Sequence, residues 1–218
     1  MDKKTPDKNA AATTISENIY RYLKDSIIKN IIKPNEKINE KEVATLFHSS
    51  KTPVREAIMK LSAVGFVESA PNKYAVVVPC TYKKFKELNE MMALLESHIF
   101  KLAIANIDEE AIRTIEEMTA RMEKLCAVET INEYFDLNGR IHEIMYTAAE
   151  NETASGLIRL VKDNHFRHMM FILESNHSLI GAHLKKSLKN HFKLNQALKT
   201  RNPALLTKVI KDHYSQYM

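Results

Sequence analysis

Apolar residues in the first third of the chain recur at helical intervals. Ile19, Leu23, Ile27 and Ile31 come every four residues and lay one stripe along a helix from about Ser16 to Ile31. The run KPNEKI turns the chain. Asn39, with Glu42 three residues on, is a capping pair for a short second helix that buries Val43, Leu46 and Phe47. His48, Ser49 and Ser50 make a tight joint to a third helix, which carries Val54, Ala57, Ile58, Leu61 and Val64 inward. Lys51, Thr52 and Arg55 therefore share its outer face near the N-terminus. Pro53 suits the first turn, where its missing N–H costs no hydrogen bond and its fixed φ matches the helix, with Ser50 or Thr52 as cap. After Gly65, the segments FVESA and YAVVV, joined by the turn PNK, read as a two-stranded hairpin that Pro79 closes.

From Thr81 onward the period stays helical and predicts six helices, at about 81–105, 108–127, 130–149, 152–175, 178–200 and 203–216. In the first of them Phe85, Leu88, Met92, Leu95, Ile99 and Leu102 alternate steps of three and four, the core stripe of a bundle or the seam of a coiled coil. Residues 1–15 are polar and aperiodic, as in a disordered tail. The expected fold is mainly α: an N-terminal winged helix-turn-helix with a small β-hairpin wing over residues 16–80, then an all-α six-helix bundle over 81–218.

Composition agrees, with 4 Gly, 6 Pro and no Trp in 218 residues. No apolar run approaches the roughly 18–20 residues of a membrane span, and the N-terminus lacks the apolar stretch of a signal peptide, so a soluble cytoplasmic protein is expected. Cys80 and Cys126 lack metal or redox spacing and read as inert thiols. The net charge of +5 is uneven: residues 1–80 hold 13 Lys and Arg against 9 Asp and Glu, whereas residues 81–218 hold 19 against 18. The excess points to a polyanion partner for the N-terminal part.

A helix entering the DNA major groove reads guanine with Arg or Lys and holds phosphates with hydroxyls and backbone N–H groups. Arg55 and Lys51 stand where such a helix needs them; an ordinary solvated face is the alternative. The run VATLFHSSKTPVREAIMKLSAVGFVES resembles the DNA-binding signature of the GntR family of bacterial transcription regulators, over roughly residues 16–79. The resemblance implies DNA contacts by Lys41 and by Ser50, Lys51, Thr52 and Arg55, with Asn72 and Lys73 reaching the minor groove from the wing tip. Lys51 replaces the family's arginine, a point charge for a planar fork. Asn72 stands for the family's glycine.

In the second domain polar residues interrupt the apolar stripes. Asn138 and His142 lie among Ile131, Phe135 and Met145; His191 lies among Ile180, Leu184, Leu188, Leu194 and Leu198; His213 follows Leu206 and Ile210 and precedes Tyr217. A lone inward histidine is usually a hydrogen-bonded core residue, but three on three helices with an amide call for a common partner, which a divalent metal such as Zn or Ni supplies. The pattern is similar to the ligand set of the FCD domain, the effector domain of the FadR subgroup of GntR regulators, over about residues 81–216. That resemblance implies a divalent metal on Asn138, His142, His191 and His213, often completed by a small carboxylate. Asn138 stands where the family has aspartate, and Met92 where it often has arginine. Asn164, Arg167 and His168 on the fourth helix of this domain are candidates for effector binding, with Arg167 as carboxylate clamp or rim residue. Asn151 is explained as a helix cap.

The expected function is a ligand-responsive regulator and not an enzyme: a repressor that binds a double-stranded DNA operator as a homodimer and a small organic acid in its C-terminal domain. The competing class is a metal-dependent hydrolase on the same histidines. It needs a general base beside the metal, and no inward carboxylate is evident in the pattern.

Overall fold

In the computed structural model, residues 14–68 and 74–215 are described. The chain divides into two units, Met1–Pro79 and Cys80–Met218.

The first unit opens with α1 (Ile15–Ile28), whose first turn is capped by Thr14 Oγ1 accepting from the Glu17 N–H. Ile19, Leu23 and Ile27 face the core as the stripe requires. The helix stops short of Ile31, because Asn30 takes a left-handed φ of 55° and Ile31 turns out to solvent, 66% exposed. After a turn comes β1 (Lys37–Ile38), then α2 (Glu40–Leu46), α3 (Lys51–Ala63), β2 (Val67–Glu68) and β3 (Ala75–Val77). Gly65, at φ 77°, ends α3 in a conformation open to glycine, and Phe66 drops straight into the core.

The wing is a three-stranded antiparallel sheet in the order β1-β3-β2, with Ile38 opposite Ala75 and Val67 opposite Val77. This corrects the two-stranded hairpin: Lys37–Ile38, within the segment read as a turn, supplies the third strand. Two residues are too few for alternation to register in a sequence. Ile19, Leu23, Val54, Ile58, Leu61, Phe66 and Val77 form the core of this unit.

Among the described residues the second unit has six α-helices: α4 (Tyr82–Asn106), α5 (Glu109–Met122), α6 (Ile131–Ala148), α7 (Glu152–Ser175), α8 (Ser178–Lys199) and α9 (Pro203–Tyr214). Four of their starts carry side-chain caps, and α6 and α8 begin without one. Thr81, Asp108, Asn151 and Asn202 each accept a first-turn N–H, and Pro203 opens α9. Two short 3-10 turns, Glu123–Leu125 and Val128–Thr130, replace the expected last turn of α5. α4 packs against α6, α7 and α9, while α5 packs against α6 and α8. Phe85, Ile99, Phe100, Tyr134, Ile141 and Met145 fill the core between them.

Candidate functional site

Two features of the N-terminal unit place its basic side chains. Asn39 Oδ1 accepts from the Lys41 and Glu42 N–H groups at 3.1 and 3.4 Å, and its Nδ2 donates to Glu42 Oε1 at 2.7 Å. This closes the start of α2 and leaves Lys41 exposed on the first turn. At α3 the N-cap is Ser50, yet its side chain makes no capping bond. A cap hydroxyl normally accepts from the second or third helical N–H, and here the third residue is Pro53, which has none. The first-turn N–H groups are thus not covered by the cap, and Ser50, Lys51 and Thr52 are exposed. One turn on, the Arg55 side chain is 65% exposed and its Nε donates to Glu40 Oε2 at 3.0 Å. Glu40 was not among the residues the sequence singled out. Asn72 and Lys73 lie outside the described residues.

In the second unit a cavity of about 210 Å³ opens between the helices. Its wall includes Met92 and Glu96 of α4, Asn138 and His142 of α6, Lys162 and His165 of α7, His183 of α8 and His213 of α9. The structure brings the three expected histidines together. Ring centroids are 5.7 Å apart for His142 and His213, 5.8 Å for His142 and His191, and 6.1 Å for His191 and His213. Asn138 joins them, its Oδ1 accepting from His191 Nε2 at 2.7 Å. Among the described residues no three His, Cys, Asp or Glu side chains already converge at ligand distance on one point.

Two findings correct the expectation. The first is Glu96, a wholly buried carboxylate 2.5 Å from His142 Nδ1 that also accepts from the Tyr146 hydroxyl. Burial by itself raises a carboxyl pKa; here the adjoining His142, then His213 and the Tyr146 hydroxyl, outweigh it and bring Glu96 down to about 2. An inward carboxylate therefore does stand beside the cluster. The sequence carried a signal for it, since Glu96 is four residues after Met92 and three before Ile99. Leu95 satisfies the same three-and-four rhythm, and apolar character favoured it; in the fold Leu95 is only half buried.

The second correction concerns Asn164, Arg167 and His168. All three are buried, but they do not line the cavity. The Arg167 carbonyl faces Cys80 Sγ, and α7 presents Lys162, Asp163, His165, Phe166 and Met169 to the cavity instead. His165 and His183 are histidines the sequence did not single out. His165 stacks on Phe85 and its Nε2 lies 3.2 Å from Asn89 Oδ1.

Burial keeps His191, His213, His165 and His183 neutral. Desolvation, with nearby rings adding to it, lowers His191 well below its ordinary value and His213 to about 4. Desolvation likewise brings His165 and His183 to about 3. Neutral imidazole is the ligand form, and the Glu96 contact at His142 Nδ1 leaves Nε2 for a ligand role. Lys162 donates to Glu143.

A helix-turn-helix with a strand-built wing binds DNA, and a helical unit around a largely apolar cavity with a few convergent polar groups suits a small-molecule sensor; a transcription regulator needs both. Comparison with known proteins agrees with that class. Residues 87–216 match the FCD domain and residues 15–77 match the bacterial regulatory proteins of the gntR family. The chain belongs to the gntR family of bacterial regulatory proteins and carries an FCD domain, a family of regulators and not of enzymes. It is 26% identical over 198 residues to the HTH-type transcriptional regulator YdhC of Bacillus subtilis, covering 90% of this chain and 86% of that protein. It is 22% identical over 204 residues to the HTH-type transcriptional repressor RspR of Escherichia coli, covering 93% and 86%. The structure of E. coli McbR/YncC shares its fold, with a TM-score of 0.75 at 19% identity over 94% of this chain and 95% of that one. Among the described residues no helix is long and apolar enough to cross a membrane.

Proposed function

We propose that this regulator is a cytoplasmic repressor of the FadR subgroup, acting as a homodimer on a two-fold operator and responding to a small carboxylate bound with a divalent metal. The observation that carries the DNA half is the exposed start of α3, where Lys51, Thr52 and Arg55 share one face beside uncapped backbone N–H groups. Arg55 reads a guanine edge in the major groove, and Ser50, Lys51, Thr52 and Lys41 hold phosphates. Minor-groove contact is assigned to Asn72 and Lys73, which lie outside the described residues.

The effector half is supported by the donor chemistry at the cavity wall, which Asn138, His142 and His213 line and behind which His191 stands against them. His142, His191 and His213 would hold Zn or Ni with Asn138, whose oxygen lies 2.7 Å from His191 Nε2. Bonds of about 2.1 Å place adjacent tetrahedral ligands of one ion about 3.4 Å apart, so the two atoms would move apart by less than about 1 Å to share it. The ion would supply the positive charge and Lewis acidity that hold a carboxylate. Effector binding then regulates DNA binding by favouring one arrangement of the molecule over another. Glu96 does not restore the hydrolase reading, because it is engaged by His142 and Tyr146 and the family is one of regulators.

The test of the DNA half is binding of Arg55→Ala to a duplex selected by the unaltered protein from a random library. It should lose roughly 1–3 kcal/mol and its preference over a scrambled duplex; unchanged preference rejects the assignment. For the effector half, Zn or Ni should raise the melting temperature of the unaltered chain and not of His191→Ala. Equal shifts in both reject the metal.

A further inference from the structure

The base-reading arginine is held as well as exposed. Its Nε donates to Glu40 Oε2 at 3.0 Å, linking the first residue of α2 to the second turn of α3. The Glu40 side chain is 26% exposed, so it stands under Arg55 on the face that carries Lys41, Lys51 and Thr52. A carboxylate there repels the phosphates that the lysines attract. An exposed ion pair adds little to fold stability, so stability does not explain its presence. Guanidinium geometry does. With Nε–H engaged, the plane of the group is set and both Nη atoms remain in an end-on fork, the arrangement that donates twice to guanine O6 and N7. A long side chain fixed before DNA arrives loses less rotamer freedom on binding. Lys51 offers no fork, so the demand falls on Arg55.

We infer that Glu40 is a positioning residue for sequence reading: it orients the Arg55 fork and gains discrimination between operator and other DNA at the expense of general attraction to phosphate. The inference rests on Arg55 reading base edges, and the experiment separates the two. The full-length chain and its Glu40→Ala, Glu40→Gln and Glu40→Asp variants are titrated with the selected duplex and with a scrambled duplex of the same composition, at two salt concentrations.

Charge alone predicts that Ala and Gln both tighten binding to both duplexes by the same factor, and that Asp changes nothing. Positioning predicts otherwise. Glu40→Ala should bind the selected duplex on the order of 5- to 10-fold more weakly, a part of one base contact, while its affinity for the scrambled duplex holds or rises. Glu40→Gln keeps an acceptor of the same reach and should retain most of the discrimination. Glu40→Asp keeps the charge but falls one methylene short, and should lose discrimination as Ala does. In an Arg55→Ala background, Glu40→Ala should leave the ratio of the two affinities unchanged. Melting curves check that each variant folds. Parallel tightening of Ala and Gln on both duplexes, or an Ala variant with undiminished discrimination, overturns the role given to Glu40. Full discrimination by Arg55→Ala alone overturns the reading beneath it.

Discussion

Glu96 and Asn138 divide between them the charge and the oxygen that an aspartate would combine. Asn138 sits against His191 with a neutral oxygen, and Glu96 brings its charge to the Nδ1 side of His142. Asn138→Asp should therefore tighten Zn or Ni on the order of 10-fold, measured by calorimetric titration, because it places charge directly in the ligand set. Tyr146→Phe removes a hydroxyl that donates to a fully buried carboxylate. It should cost about 1–3 kcal/mol in urea unfolding without creating a large cavity. The clustering of His142, His191 and His213 was legible because each interrupts an apolar stripe at the right spacing. Glu96 was not, because a charged residue and Leu95 competed for one stripe and only the bonds from α6 decide between them. Asn164, Arg167 and His168 were misplaced for a related reason. Helical spacing identifies a buried face of α7, but α7 buries more than one face, and the cavity uses the neighbouring one.

At the scale of elements, capping separates two helices that look alike in sequence. Asn39 caps α2 with both its oxygen and its amide, whereas Ser50 begins α3 with no side-chain bond, and Pro53 removes one of the two N–H groups it could have accepted from. Asn39→Ala should cost about 1 kcal/mol of stability by urea titration. Ser50→Ala should change stability by no more than a few tenths of that, and show its effect in DNA affinity instead. The same local logic explains which boundaries could be read. α4, α5, α7 and α9 begin at Thr, Asp and Asn caps written in the sequence, so their starts fall where periodicity puts them. α1 ends early through the left-handed Asn30, and β1 exists only because β3 comes to pair with it. Neither is a property of its own few residues.

Across the second unit the buried histidines set how stability depends on pH. His213, His165 and His183 are neutral in the fold with pKa values of about 4, 3 and 3, against 6.5 when unfolded. Above 6.5 neither state binds the proton and stability is whole. As pH falls below 6.5 the unfolded chain takes up protons that the fold refuses, and each ring removes about 1.4 kcal/mol per pH unit until its folded pKa is reached. Glu96, brought from 4.5 to about 2, adds a further loss between those values. Urea midpoints should therefore drop steadily from pH 6.5 to 4, and His183→Leu should flatten the slope. The amino-acid sequence by itself determined the two-part organisation, the helices, the outward Arg55 and the inward histidines, since periodicity and capping are written in residues a few positions apart. Only the tertiary structure decided that Glu40 holds Arg55, that Glu96 stands behind His142, and which face of α7 meets the cavity. Those contacts join residues distant in sequence, and side-chain spacing along one helix carries no information about the helix it will meet.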